Sequence, residues 1–287
     1  MTLQPPPGVP TSPIEISGGA ASAAPRLSAP VVLLDDGFLR RLNEACSEVL
    51  LDPAELAEAS RDWWPLSMIW ATEGKVPQVA GAVVRPRDTN EVSAVMKLCN
   101  ESRVPVTAAG GRSSVVGGVI PVHGGVVVDL TAMSGIVEVD STSATVEVLA
   151  GTFGDVFEQE LQDTYALTVG HWPQSMALST VGGWIACRGA GQLSNRYGKI
   201  EDIVVGLEVV LADGSVVVTG GQPKEAVGPE LTKLFVGSEG TLGIVTRAWL
   251  RAWPKPTKTA SSAWSFPTFS EALDAMRRII QRGAPVA

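Results

Sequence analysis

The stretch that most limits what this chain can fold into is Thr107–Gly118, reading Thr-Ala-Ala-Gly-Gly-Arg-Ser-Ser-Val-Val-Gly-Gly. It follows an extended Val104-Pro105-Val106 and sets Gly110 and Gly111 ahead of the hydroxyls of Ser113 and Ser114. Glycine tolerates the positive φ of a sharp turn, and without a Cβ its N–H can approach an anion closely. The pattern is that of a strand running into a phosphate-holding loop. Two common phosphate signatures are excluded. A P-loop needs Gly-Lys-Ser/Thr, whereas Arg112 precedes two serines, and the glycines do not follow the G-x-G-x-x-G order that opens a dinucleotide-binding helix. A Gly-Gly and Ser-Ser run alone also fits an ordinary surface turn, so the decision falls to the rest of the chain.

With 287 residues, 45% of them hydrophobic, the chain is globular and long enough for two subdomains or one large core. A net charge of −8 offers no general attraction to nucleic acid or an anionic membrane and points to a small-molecule ligand. Cys46, Cys99 and Cys187 form no C-x-x-C pair, and His123 and His171 cannot make a zinc motif alone. No apolar run of transmembrane length and no secretory signal is present, so a cytoplasmic location is the expectation. Peripheral membrane contact and a homodimer are left open.

Residues 1–30, rich in Pro, Ala, Ser and Gly, are expected to be a mobile tail. Phe38, Leu42, Ala45, Cys46 and Val49 recur at helical spacing, and Asp52-Pro53 with Glu55 opens a second helix. Trp63, Trp64 and Trp70 are expected to close the bottom of a core, with a flavin cover as the alternative. Ala82–Val84, a helix carrying Val92, Val95, Met96 and Cys99, then Val104–Val106 and Val126–Val128 compose a small α/β unit with the glycine loop at its edge. Two hairpins follow, Ile136–Val139 with Thr145–Val148, and Leu207–Leu211 with Val216–Val218 across Asp213-Gly214, a type I′ dipeptide. A helix bearing Val156, Phe157 and Leu161 lies between them. After Pro254 comes a linker, then a helix from Thr268 to Gln281 with Leu273, Met276 and Ile280 facing inward.

Three further segments share the character of the glycine loop: His171 to Thr180, Val181 to Gly191, and Gly237 to Val245. In this order and spacing the set resembles the FAD domain of the vanillyl-alcohol oxidase and p-cresol methylhydroxylase type, most closely the alkyl-dihydroxyacetonephosphate synthases. The resemblance runs from near Val76 to Pro254. It implies an α+β fold of two FAD-binding subdomains, 77–140 and 141–254, after an amino-terminal helical segment over 31–76. Residues 255–287 would then begin an incomplete cap domain.

By motif, the resemblance places the pyrophosphate loop on Ala108, Ala109, Gly110, Gly111, Arg112, Ser113 and Ser114. The second flavin segment falls on Gln174, Ser175, Ser179 and Thr180 with Gly183 following, the third on Cys187, Arg188, Gly189 and Ala190. The fourth falls on Glu239, Gly240, Thr241, Leu242, Gly243, Ile244 and Val245. Backbone N–H groups and hydroxyls can hold a diphosphate without lysine, and the apolar members can line a flat ring. Members that tether flavin covalently often carry histidine within the glycine loop. Arg112 follows Gly111 here, so dissociable FAD is expected. Arg112 and Arg188 each either pair with the cofactor or are solvated. For His171, a turn residue holding its loop through a ring hydrogen bond is favoured over acid–base work.

The family exchanges the acyl group of acylated dihydroxyacetone phosphate for a fatty alcohol. Its catalytic residues are expected beyond Ala287, so no catalytic residue is assigned. Two alternatives stay open, an FAD-dependent D-lactate or glycolate oxidase or dehydrogenase, and an inactive truncated flavoprotein.

Overall fold

The computed structural model describes residues 13–221, 228–284 and 286. Its amino-terminal part is threaded onto the body. Strand β1 (Ala24–Pro25) leads to helix α1 (Asp36–Ala45), strand β2 (Val49–Leu50) and helices α2 (Pro53–Ala59) and α3 (Pro65–Thr72). Strand β3 (Lys75–Val76) then runs parallel to β1. The mobile tail expected over 1–30 is therefore corrected for its described part. Ile16 is buried in a small core with Ala57, Ala71 and Val76, and Arg26 N–H donates to the Val76 carbonyl at 2.8 Å. Poverty in apolar residues does not stop a segment from pairing its backbone with an exposed strand edge. Residues 1–12 lie outside the described part.

The helix expected through Val49 stops at Ala45. Cys46 is extended but buried, and Val49 pairs with Val84 in a sheet. Asp52 caps α2 by accepting from the N–H groups of Ala54 and Glu55, with Pro53 in the first turn. The three tryptophans are half-buried and do not form a core floor. Trp64 meets Trp70 edge-on at 5.4 Å, and its ring backs onto Gly117, where an added Cβ would lie 3.2 Å away.

Strand β4 (Ala82–Val84), helix α4 (Thr89–Ser102), strand β5 (Val106–Ala109) and strand β6 (Val126–Asp129) build the first sheet, in the order β2-β4-β6-β5. Here β4, β6 and β5 are parallel while β2 pairs antiparallel with β4. Every residue of β4 and β6 is buried, as the continuous apolar runs of a covered parallel sheet demand. Val92, Val95, Met96 and Cys99 of α4 pack on one face, together with Phe38 and Leu42 of α1.

Strands β7 (Ile136–Asp140) and β8 (Thr145–Leu149) are followed by helix α5 (Gly154–Tyr165), strand β9 (Leu167–Thr168) and helices α6 (Val181–Ala186), α7 (Ser194–Tyr197) and α8 (Ile200–Ile203). Then come strands β10 (Val204–Val210) and β11 (Val216–Gly220), helix α9 (Thr232–Phe235), and strands β12 (Ile244–Arg251) and β13 (Trp253–Pro254). The second sheet is antiparallel in the order β11-β10-β12-β8-β7. Because β7 belongs to it, the chain changes sheet before Ile136, ahead of the expected boundary at 140. Phe157, Leu161, Trp184, Ile185, Leu207 and Leu250 form its core, while Val210 and Ile244 pack into the core of the first sheet.

Two local expectations are corrected. A type I′ turn needs positive φ at both central residues, but only Gly214 has it, at 85°. Gly214 N–H bonds the Leu211 carbonyl at 3.0 Å and Leu211 N–H bonds Ser215, the wider form in which one left-handed glycine follows a type I turn. The last helix, α10 (Phe269–Gln281), is capped by Thr268 as expected. Its apolar stripe does not face inward: Leu273, Met276 and Ile280 are 49%, 58% and 48% exposed. Among the described residues no helix is long and apolar enough to cross a membrane.

Candidate FAD-binding cleft

The loop after β5, the approach to α6, the turn after α6 and the loop before β12 line one cleft of about 460 Å³. Ala108 to Ser114 all border it, with Gln174, Ser175, Ser179, Thr180, Gly183, Cys187, Gly189 and Ala190. Glu239, Gly240, Gly243, Ile244 and Val245 complete the set brought together. Three residues assigned by motif are not brought in. Arg188 turns outward to pair with Glu201, Thr241 donates its hydroxyl to the Ser238 carbonyl at 2.6 Å, and Leu242 is 47% exposed.

Of the two reasons the sequence offers for the paired glycines, positive φ does not apply. Neither has positive φ. A Cβ on Gly111 would sit 2.0 Å from the Leu178 carbonyl oxygen, and one on Gly110 2.3 Å from Thr180 Oγ1. The glycine loop therefore lies back to back with the Leu178–Thr180 turn, closer than any side chain permits. The left-handed residue is Arg112, with φ 54°, and its Nη1 reaches Asp129 Oδ2 at 3.2 Å. Among the described residues no carbonyl accepts from the N–H groups of Gly111, Arg112, Ser113 or Ser114. Ser114 Oγ instead accepts from Gly118 N–H at 3.1 Å and Val116 N–H at 3.3 Å, shaping the loop's exit.

Opposite this loop, the Ser175–Ser179 turn is locked onto α6. Ser179 Oγ accepts from the buried Trp184 indole N–H at 2.7 Å and donates to the Ser175 carbonyl at 2.8 Å. His171 lies beside Trp184, with ring centroids 4.7 Å apart, and is fully buried. The ring hydrogen bond expected of it is not seen, since neither ring nitrogen has a partner among the described residues. Burial pushes its pKa down to about 4, so the ring is neutral at physiological pH. His171 and Trp184 border the cleft yet were not placed in it by motif.

Cys187 and Glu239 are exposed at the cleft, yet the surrounding protein desolvates both enough to raise the thiol and the carboxyl, with Glu239 adding to the effect on Cys187. Both shifts favour the uncharged form, which suits a site for an anionic ligand. The donor set fits FAD on three observations. Unpaired main-chain donors line one wall, as a diphosphate requires. Leu130, Ala150, Ile244 and Val245 supply apolar surface for a flat ring. Two orphaned, buried nitrogens of His171 stand where a buried polar group needs a partner.

Comparison with known proteins agrees with this geometry. Residues 80–220 match the FAD binding domain family. The chain is 41% identical over 176 residues to glycolate oxidase subunit GlcD of Bacillus subtilis, spanning 61% of this chain and 37% of that protein. It is 32% identical over 228 residues to alkyldihydroxyacetonephosphate synthase of Trypanosoma brucei brucei, spanning 78% of this chain and 36% of that one. A solved alkyldihydroxyacetonephosphate synthase superposes with TM-score 0.78 at 24% identity, over 96% of this chain and 49% of that chain. For p-cresol methylhydroxylase the TM-score is 0.65 at 23% identity, over 80% and 46%. The chain thus spans less than half the length of each of these proteins. Loops, cleft and relatives agree on an FAD binding domain over residues 80–220, built on the fold seen in p-cresol methylhydroxylase.

Proposed function

We propose that FAD lies in this cleft without a covalent link, and that the protein is a flavoenzyme of the alkyldihydroxyacetonephosphate synthase kind. The observation that carries the reading is the meeting of four glycine- and hydroxyl-rich segments, far apart in sequence, around one cleft. Bound FAD supplies an electrophilic ring and a two-electron acceptor. The residues of this chain bind and orient it. N–H groups of Gly111 to Ser114 and the Arg112 guanidinium would receive the diphosphate, and neutral, buried His171 would back the cleft wall beside Trp184. In this reading the two sheets are the two subdomains of the FAD fold. The match to the synthase of Trypanosoma brucei brucei, covering 78% of this chain, supports the choice.

A second reading is favoured by the 41% identity to the glycolate oxidase subunit, namely an oxidase or dehydrogenase of a small 2-hydroxyacid. Anaerobic addition of glycolate or D-lactate to the FAD-loaded protein separates the two. Bleaching of the flavin band establishes the hydroxyacid reading. An unbleached flavin, together with exchange of labelled fatty alcohol into acyl-dihydroxyacetone phosphate, establishes the synthase.

A further inference from the structure

Arg112 does not stand alone. Its partner Asp129, whose side chain is 1% exposed, offers Oδ2 to two guanidiniums, Arg112 Nη1 at 3.2 Å and Arg85 Nε at 3.4 Å. Asp129 Oδ1 is taken by the Thr131 N–H and hydroxyl, at 3.1 and 2.7 Å. Arg85 reaches the other way, with Nη1 at 3.1 Å from Glu48 Oε1. The charges therefore alternate inward from the residue just before edge strand β2: Glu48, Arg85, Asp129, Arg112. Of these four only Arg112 borders the cleft, and it does so in a left-handed backbone conformation that residues other than glycine seldom adopt.

One carboxylate shared by two guanidiniums cannot neutralise both. We propose that Arg85, which lies outside the cleft, is a positioning residue for the cofactor's diphosphate. By taking part of Asp129 it leaves the Arg112 cation with charge to spend on phosphate, and Glu48 opposes this by drawing Arg85 away. The inference rests on the reading that the cleft holds FAD. It adds a sign for each outlying member of the row: loss of Arg85 weakens the grip on phosphate, and loss of Glu48 strengthens it.

The test measures binding of FAD and of riboflavin, which lacks phosphate, to the full chain by flavin fluorescence. Arg85→Met is expected to weaken FAD about 5- to 10-fold while riboflavin affinity stays unchanged, because a charge-assisted contact to phosphate is being discharged. Glu48→Gln is expected to tighten FAD about 2- to 3-fold, again without effect on riboflavin. An Arg85→Met variant that binds FAD as well as the unaltered chain overturns the proposal. So does one that loses FAD and riboflavin alike, since that is loss of structure and not of charge. Should Arg85→Met fail to fold by circular dichroism, the sign of the Glu48→Gln effect decides. If the unaltered chain binds both flavins equally, the proposal alone falls; if it binds neither, the cofactor assignment falls with it.

Discussion

At the scale of single residues, contact distance matters more than conformational freedom in the glycine loop. Gly111→Ala would drive a Cβ against the Leu178 carbonyl, which belongs to backbone and cannot rotate away. The expected cost is about 3 kcal/mol, the upper range of overpacking, with loss of FAD binding, read by thermal melting and flavin titration. Gly135→Ala is the contrast, since nothing stands within 4 Å of its Cβ position and only its φ of 125° opposes the change. His171 gives a pH prediction. Its pKa falls from the ordinary 6.5 to about 4 in the folded protein, so below pH 6.5 the unfolded chain binds a proton that the native one refuses. Stability from this residue is complete above the unfolded pKa and is lost as pH drops from about 6.5 to about 4. The loss approaches about 3 kcal/mol. In His171→Phe this pH-dependent loss should be absent, as urea titrations at stepped pH would show. The motif residues came from the family resemblance, since a Gly-Gly and Ser-Ser run alone also fits a surface turn, and the cleft gathers most of them but not Arg188, Thr241 or Leu242. His171 and Trp184 could not be read that way, since an unpartnered ring and a buried indole are defined by what the fold leaves around them.

Among secondary elements, the apolar runs of β4 and β6 and the helical stripe of α4 were plain in the sequence because each is buried by its immediate neighbours. The β10–β11 connection shows where such reading stops. Asp-Gly is shared by a type I′ turn and by a type I turn closed with a left-handed glycine, and only the register between the strands separates them. That register places Gly214 against α4, where its carbonyl accepts from the Ser93 hydroxyl at 2.5 Å. Gly214→Ala is expected to cost about 1–2 kcal/mol, through its φ of 85° and the 2.7 Å approach of the Ser93 carbonyl to the new Cβ. Helix α10 behaves in the opposite way. Periodicity found its stripe but not its partner, and Leu273, Met276 and Ile280 are each about half exposed. Replacing Met276 by Glu should therefore change the melting midpoint of this chain by no more than about 0.5 kcal/mol in free energy, as for other open surface positions. The same change is expected to reduce self-association in size-exclusion chromatography, because an exposed apolar face is a site for sticking.

For the molecule as a whole, the two sheets differ in kind. One is parallel and covered, the other antiparallel, and β12 joins them through Ile244 and Val245, which reach the first core and the second respectively. The cleft opens where the strand ends and loops of both sheets converge, so holding a cofactor and holding the sheets together are coupled. Ligand that binds only the folded state stabilises by mass action, about 2.7 kcal/mol at one hundred times its dissociation constant. For a chain of this size that corresponds to a rise of roughly 5–10 °C in the melting midpoint with FAD present. The overall charge of −8 would oppose an anionic cofactor at long range, so the gain has to come from the local donors of the glycine loop and Arg112. The glycine loop carries no histidine, and desolvation by the cleft wall together with Glu239 holds the exposed Cys187 thiol toward its less reactive protonated form. Acid precipitation of the FAD-loaded protein should therefore leave all the flavin in the supernatant. Flavin fluorescence retained by the washed precipitate would show a covalent tether and overturn the noncovalent assignment.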